Sequence, residues 1–112
     1  MVCHTIYTTK LILHDKWVTN EGDIVEIKAW SVSKSEHFPD EIKYSMVFIH
    51  DEKRILGYDN ERGKGHHEHK FGYEKELEFK SLEQILDKFE KAIDEVRGEL
   101  YGNKNKTHEL RN

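Results

Sequence analysis

The chain has 112 residues, of which 36% are hydrophobic and 36% are charged, and its formal net charge is -4 at pH 7. This length and composition predict one domain with a thin core, built from a sheet that is covered on one face. The negative charge argues against a protein that coats nucleic acid through bulk electrostatics, although it leaves room for a local basic site.

The sequence also indicates in which cellular compartment the protein is expected. No stretch approaches the ~20 apolar residues that span a membrane, and the first residues lack the basic start and apolar run of a secretory signal. Cys3 is the single cysteine, so it cannot form an internal disulfide. These features predict a cytoplasmic protein that does not contact membranes.

Two strands are expected in the first third of the chain, over residues 9–20 and 23–33. They are joined at Asn20-Glu21-Gly22, where Asn and Gly tolerate positive φ. A polar loop follows over 33–40 and contains Pro39, the only proline, which marks a break before the next strand.

A second hairpin is expected over 42–50 and 53–59, turning at Asp51-Glu52. With a two-residue loop, position 48 lies opposite 55 and position 44 opposite 59. This register would place four side chains on one face of the sheet: Tyr44, Phe48, Ile55 and Asp59. Short strands are expected after it, around 67–71 and 75–79.

A long helix is expected to begin at Ser81, which has capping-box spacing to Gln84. The helix is predicted to end at Gly102. Apolar residues recur at helical spacing between these points and form one stripe: Leu82, Ile85, Leu86, Phe89, Ile93, Val96 and Leu100. The sequence therefore predicts an α+β domain over 1–102, an antiparallel sheet of four to six strands with one C-terminal helix packed on one face. A polar, disordered tail is expected over 103–112.

The segment from Gly57 to His69 combines a carboxylate, an amide, cations, glycines and imidazoles. Gly63 and Gly65 flank Lys64, so the loop amides can turn toward an anion. His67 and His69 are two residues apart, and on a strand both rings would point to the same face, with His66 on the other.

Three interpretations of this segment compete. In the first, the loop binds a phosphodiester and histidines act as acid and base, a role that suits imidazole because its ordinary pKa is about 6.5. In the second, Asp59, His67 and His69 hold a divalent metal ion. In the third, the segment is a solvated polar loop without chemistry, because a motif match alone does not establish a site.

The sequence also resembles the TumE family, small bacterial and archaeal proteins regarded as toxins of toxin–antitoxin pairs. The similarity spans roughly residues 10–97 and includes Phe79-x-Ser81 and the helix that follows. It rests on these runs: Val25-Glu26-Ile27-Lys28-Ala29-Trp30, Lys43-Tyr44-Ser45, and Gly57-Tyr58-Asp59-Asn60-Glu61-Arg62-Gly63-Lys64-Gly65 followed by His67-x-His69. Two positions depart from the family pattern: His66 stands where relatives usually have Asp, and Glu68 where they often have Arg.

The resemblance implies an antitoxin partner, typically a winged-helix DNA-binding protein, and by analogy with other small toxins it implies action on RNA. A metal-independent, ribonuclease-like activity without a cofactor is therefore the leading hypothesis. The catalytic residues would be His67, His69 and Asp59. The phosphate- or RNA-binding residues would be Tyr58, Asn60, Arg62, Gly63, Lys64 and Gly65.

Two alternatives belong to other classes: a non-catalytic module that binds the antitoxin, and a metal-dependent nuclease or hydrolase. A homodimer is compatible with each of the three hypotheses.

Overall fold

The computed structural model describes residues 9–60 and 64–102. Six strands form one antiparallel sheet in which every strand pairs with the next one along the chain. The elements are β1 (Thr9–Val18), β2 (Ile24–Val32), β3 (Ile42–His50), β4 (Lys53–Asp59), β5 (His67–Lys70), β6 (Tyr73–Glu76) and α1 (Leu82–Tyr101). The predicted α+β class, with a sheet of four to six strands and one C-terminal helix, is confirmed.

The core lies between α1 and one face of the sheet. The rings of Tyr58 in β4 and Phe89 in α1 meet edge to face, with 5.2 Å between their centroids. The predicted stripe supplies the helix side of this core, since Ile85, Phe89 and Val96 are fully buried. The strands contribute alternate residues to it: Val25, Ile27 and Ala29 from β2, Tyr44, Met46 and Phe48 from β3, and Leu56 and Tyr58 from β4.

The helix ends are close to those predicted. The Ser81 hydroxyl accepts a hydrogen bond from the backbone N–H of Gln84 at 3.0 Å. The Gln84 side chain accepts from the N–H of Lys80, one residue before the cap, and so satisfies a neighbouring donor. At the other end Gly102 has φ +88° and donates to the carbonyl of Gly98. The predicted tail over 103–112 lies outside the described residues.

Polar contacts bind the C-terminal end of α1 to the end of the sheet that carries the β1–β2 and β3–β4 turns. The Tyr101 hydroxyl donates to Asp23 Oδ2 at 2.5 Å. The other oxygen of this buried carboxylate lies 2.8 Å from Nδ1 of His50. Arg97 adds an ion pair to Glu21 at 2.6 Å. These contacts fix the helix at the end of the sheet away from the Asp59 end of β4.

The register predicted for the second hairpin is wrong beyond its turn. His50 pairs with Lys53 and Ile49 with Arg54, but Phe48 then pairs with Leu56 and Ser45 with Asp59. Ile55 is therefore an extra residue, a β-bulge, which shifts every later pairing by one. As a consequence Tyr44 and Phe48 face the helix, whereas Asp59 faces the opposite side.

That opposite side carries no helix among the described residues, and we call it the open face. Its side chains around the end of β4 come from neighbouring strands: Ser45 of β3, Asp59 of β4, His67 of β5 and Glu76 of β6. Among the residues that the structure describes, no helix has the length and apolar character needed to cross a membrane.

Candidate functional site on the open face

The two histidines of the predicted motif lie on one face of β5, as the His-x-His spacing predicts. His67 pairs with Asp59 of β4 and His69 with Gly57. The ring centroids are 5.7 Å apart and the ring planes are inclined at 64°. Nε2 of His69 lies 3.9 Å from Oδ2 of Asp59. The structure thus brings together the three residues predicted to be catalytic.

Glu74 of β6 completes this group, although the sequence analysis did not single it out. Its Oε2 lies 3.2 Å from Nε2 of His67 and 3.8 Å from Nε2 of His69. The spacing did contain a signal for it. A two-residue turn at Phe71-Gly72, both with positive φ, sets Glu74 opposite His69. We call Asp59, His67, His69 and Glu74 the histidine–carboxylate cluster.

The cluster opens to solvent on one side. The side chain of His67 is 6% exposed, whereas those of His69 and Asp59 are 25% and 20% exposed and that of Glu74 is 48% exposed. Access from solvent is therefore greatest at Glu74 and least at His67. Half-buried polar groups that converge in this way are typical of sites that bind or react rather than of solvated loops.

Cations border the cluster. Lys64 is exposed and lines a cavity of about 380 Å³ together with His67, Glu74, Lys75 and Glu76. Gly65 follows it with φ +76°, and a Cβ there would meet open space. The structure therefore places Lys64 beside a predicted catalytic histidine. Arg62 and Gly63, also predicted to bind phosphate, lie outside the described residues.

Arg54 is a second cation that the sequence analysis missed. Its side chain lies over Gly57, where a Cβ would come within 2.9 Å of the Arg54 Cδ. Because Gly57 pairs with His69, the guanidinium side chain runs along the open face next to the cluster. The sequence gives no sign of this contact, because residues three apart on a regular strand lie on opposite faces. Arg54 and Gly57 share a face only because Ile55 is an extra residue.

Two other predicted binding residues turn away from the open face. Tyr58 is buried against α1, and burial, followed by the nearby Glu68 carboxylate, raises the pKa of its hydroxyl. Asn60 is also buried, and its side-chain amide is hydrogen-bonded to the backbone of β3. Its Oδ1 accepts from the N–H of Tyr44 at 2.9 Å and its Nδ2 donates to the carbonyl of Ile42 at 2.7 Å. These contacts favour structural roles for both residues.

His66 points to the other side from His67, as predicted. Its Nδ1 lies 2.9 Å from the Tyr44 hydroxyl and its Nε2 lies 3.1 Å from Oδ2 of Asp40. The ring stacks on Phe79 with 4.4 Å between centroids. His66 therefore joins the loop before β3 to the segment before α1, and it is not part of the cluster.

A family model described as toxin TumE matches residues 6–97. The chain belongs to the TumE family. No curated protein and no solved structure matches this chain. The match includes β1 to β6 and most of α1, so every member of the cluster lies inside it. Membership in a toxin family implies an antitoxin partner for this chain.

Proposed function

We propose that this TumE-family toxin acts on RNA and that the histidine–carboxylate cluster carries the chemistry. The supporting observation is the convergence of two imidazoles and two carboxylates on the open face, with Lys64 and Arg54 beside them. A metal-independent cleavage of RNA needs this combination of a base, an acid and cations.

The proposed reaction is attack of a ribose 2′-hydroxyl on the adjacent phosphorus. One imidazole of the pair takes the hydroxyl proton as the new P–O bond forms. The other gives a proton to the 5′ oxygen as its bond to phosphorus breaks. The products are a 2′,3′-cyclic phosphate and a free 5′-hydroxyl, so no water or cofactor is consumed in this step.

The carboxylates have a separate role in this scheme. Glu74 lies beside both imidazoles, at 3.2 Å from His67 and 3.8 Å from His69, and Asp59 lies 3.9 Å from His69. A carboxylate at this position orients the ring and stabilises the imidazolium that forms during proton transfer. The nearby cations would meet the charge that develops on the phosphoryl oxygens.

The test uses single and double alanine variants of His67 and His69, each measured for growth arrest in cells and for cleavage of RNA by the purified protein. Both readouts should fall by at least about 100-fold, the usual scale for loss of a general acid or base. His14→Ala is a matched control. His14 also lies on a strand, 2.8 Å from a carboxylate, that of Glu26, but it stands four strands from β5.

A double variant that stays folded by circular dichroism and still arrests growth would remove the histidines from the mechanism. The same measurements distinguish the catalytic proposal from the non-catalytic alternative. A wild-type protein that forms a tight complex with its antitoxin and leaves RNA intact would be an interaction module.

The kind of antitoxin is a proposal that rests on the family resemblance, which suggests a winged-helix DNA-binding protein. A homodimer likewise stays a prediction. Co-purification of the chain with the product of the neighbouring gene, followed by measurement of the mass of the complex in solution, tests both.

A further inference from the structure

We infer that His67, His69 and Glu74 together form a binding site for one divalent transition-metal ion, with Zn²⁺ as the ion of choice. The site uses the same three side chains as the proposed RNA chemistry, but metal binding does not require that activity. The ion would act as a ligand that occupies the cluster, in competition with proton transfer.

The geometry of the three donor atoms carries this inference. One ring nitrogen of each histidine and one carboxylate oxygen of Glu74 all lie within 4.8 Å of one another. Oε2 of Glu74 is 3.2 Å from Nε2 of His67 and 3.8 Å from Nε2 of His69. Ligands at about 2.0–2.2 Å from a tetrahedral zinc ion are roughly 3.4 Å apart, so small side-chain rotations suffice to close the site.

The direction of the histidine rings is a second point. Both present the same nitrogen, Nε2, to the same oxygen of Glu74. If the rings only flanked a phosphate from two sides, a common point between them would not be required. A common point is what a single ion needs, and two imidazoles with one carboxylate are a donor set that zinc accepts while a further position stays open.

The backbone holds these donors in place. His67 and His69 are on β5, and Glu74 is on β6 across the tight turn at Phe71-Gly72. Three ligands on one hairpin are largely pre-positioned, because neither strand can slide without breaking the ladder. Asp59, with Oδ2 at 3.9 Å from Nε2 of His69, would stand close to a bound ion as an outer carboxylate.

Calorimetric titration of the purified chain with ZnCl₂ at neutral pH tests the site. We expect one ion per chain, and His69→Ala and Glu74→Gln should each weaken binding of that ion by more than about 100-fold. This exceeds the 10–100-fold typical of losing an outer-shell partner. Titration with CoCl₂ adds a spectroscopic readout, since Co²⁺ in a four-coordinate site absorbs visible light strongly.

The matched control is the pair formed by His14 and Glu26, which have the same two side-chain types at 2.8 Å on the same sheet. Because no third donor joins this pair among the residues that the structure describes, His14→Ala and Glu26→Gln should leave zinc binding unchanged. Wild-type protein that takes up no zinc would overturn the inference. So would zinc binding that is equal in the wild type and Glu74→Gln, since the ion would then be held elsewhere.

The outcome is independent of the proposed RNA chemistry. A chain that binds zinc through these residues and leaves RNA intact supports the metal site and overturns the proposed function. A chain that cleaves RNA and binds no zinc does the reverse.

Discussion

Gly57 lies directly beneath the side chain of Arg54. A Cβ on Gly57 would come within 2.9 Å of the Arg54 Cδ and 3.3 Å of its Nε. The absence of a side chain at position 57 thus lets Arg54 lie flat on the open face, beside the strand that carries His69. The glycine is at an ordinary strand dihedral rather than in a turn, so space, and not backbone freedom, is the reason for it.

Gly57→Ala should therefore weaken RNA binding by displacing Arg54, without destabilising the fold. Arg54→Ala should weaken binding several-fold through loss of a phosphate contact, and the two changes should not add, because they remove the same contact. RNA affinity measured at two salt concentrations checks this, since loss of one phosphate contact also lowers the salt dependence. Additive losses in the double variant would show that Gly57 acts independently of Arg54.

Zinc should inhibit RNA cleavage by the wild-type chain. With an ion on Nε2, each neutral imidazole carries its proton on Nδ1 and has no lone pair left to accept another, so neither His67 nor His69 can act as the base. Activity should therefore fall as the site fills and return when a chelator is added. A rate assay with ZnCl₂, followed by EDTA, measures this effect. Activity that rises with zinc would instead make the ion part of the reaction, as in the metal-dependent alternative, and would remove the acid–base scheme.

Asn60→Ala should destabilise the fold rather than affect substrate binding alone. The change leaves the N–H of Tyr44 and the carbonyl of Ile42 without their partners. Because these groups are at a buried strand end, we expect a loss of about 2–3 kcal/mol in the free energy of unfolding. Urea unfolding followed by circular dichroism gives the value. If the free energy of unfolding were unchanged and RNA binding were weaker, Asn60 would be a substrate-binding residue and not a structural one.

Glu52→Gly should stabilise the β3–β4 hairpin. Asp51 and Glu52 form its two-residue turn with φ of +51° and +64°, a conformation that costs an L residue roughly 1–2 kcal/mol. Glycine adopts it freely but loses more entropy on folding, by about 0.5–1 kcal/mol. The net gain in unfolding free energy should therefore be about 0.5–1 kcal/mol. A loss of stability would mean that the Glu52 side chain makes a contact of its own.

The helix and the first five strands could be predicted from sequence because local patterns determine them, whereas the strand expected around 75–79 begins earlier, as β6 (Tyr73–Glu76), because the tight turn at Phe71-Gly72 sets its start. Both ends of β3 and β4 follow from alternation around Asp51-Glu52, and the cap at Ser81 and the stop at Gly102 follow from side-chain chemistry and backbone freedom. The pairing of His67 and His69 on one face follows from the two-residue period of a strand.

The parts of the site that escaped prediction depend on contacts between strands. Glu74 looks like one of several charges on a polar strand until the turn at Phe71-Gly72 sets it opposite His69. Asn60 looks like a loop residue available for binding, but its amide continues the sheet where the β4 ladder stops. Neither relation is visible within a single strand, since both depend on how neighbouring strands pair.

The bulge at Ile55 has a consequence for how this protein tolerates length changes. In a hairpin without it, Asp59 would turn toward the helix, and the pairing of β4 with β5 would carry His67 and His69 to the same side. The face of the cluster therefore depends on the pairing of Phe48 with Leu56, which the bulge makes possible while Ile55 is present. Deleting Ile55 removes the extra residue but leaves Leu56 opposite Phe48, so the later pairings and the face of the cluster should be kept. The hairpin should therefore tolerate the loss of this one residue, because the face of the later side chains follows from strand pairing and not from chain length.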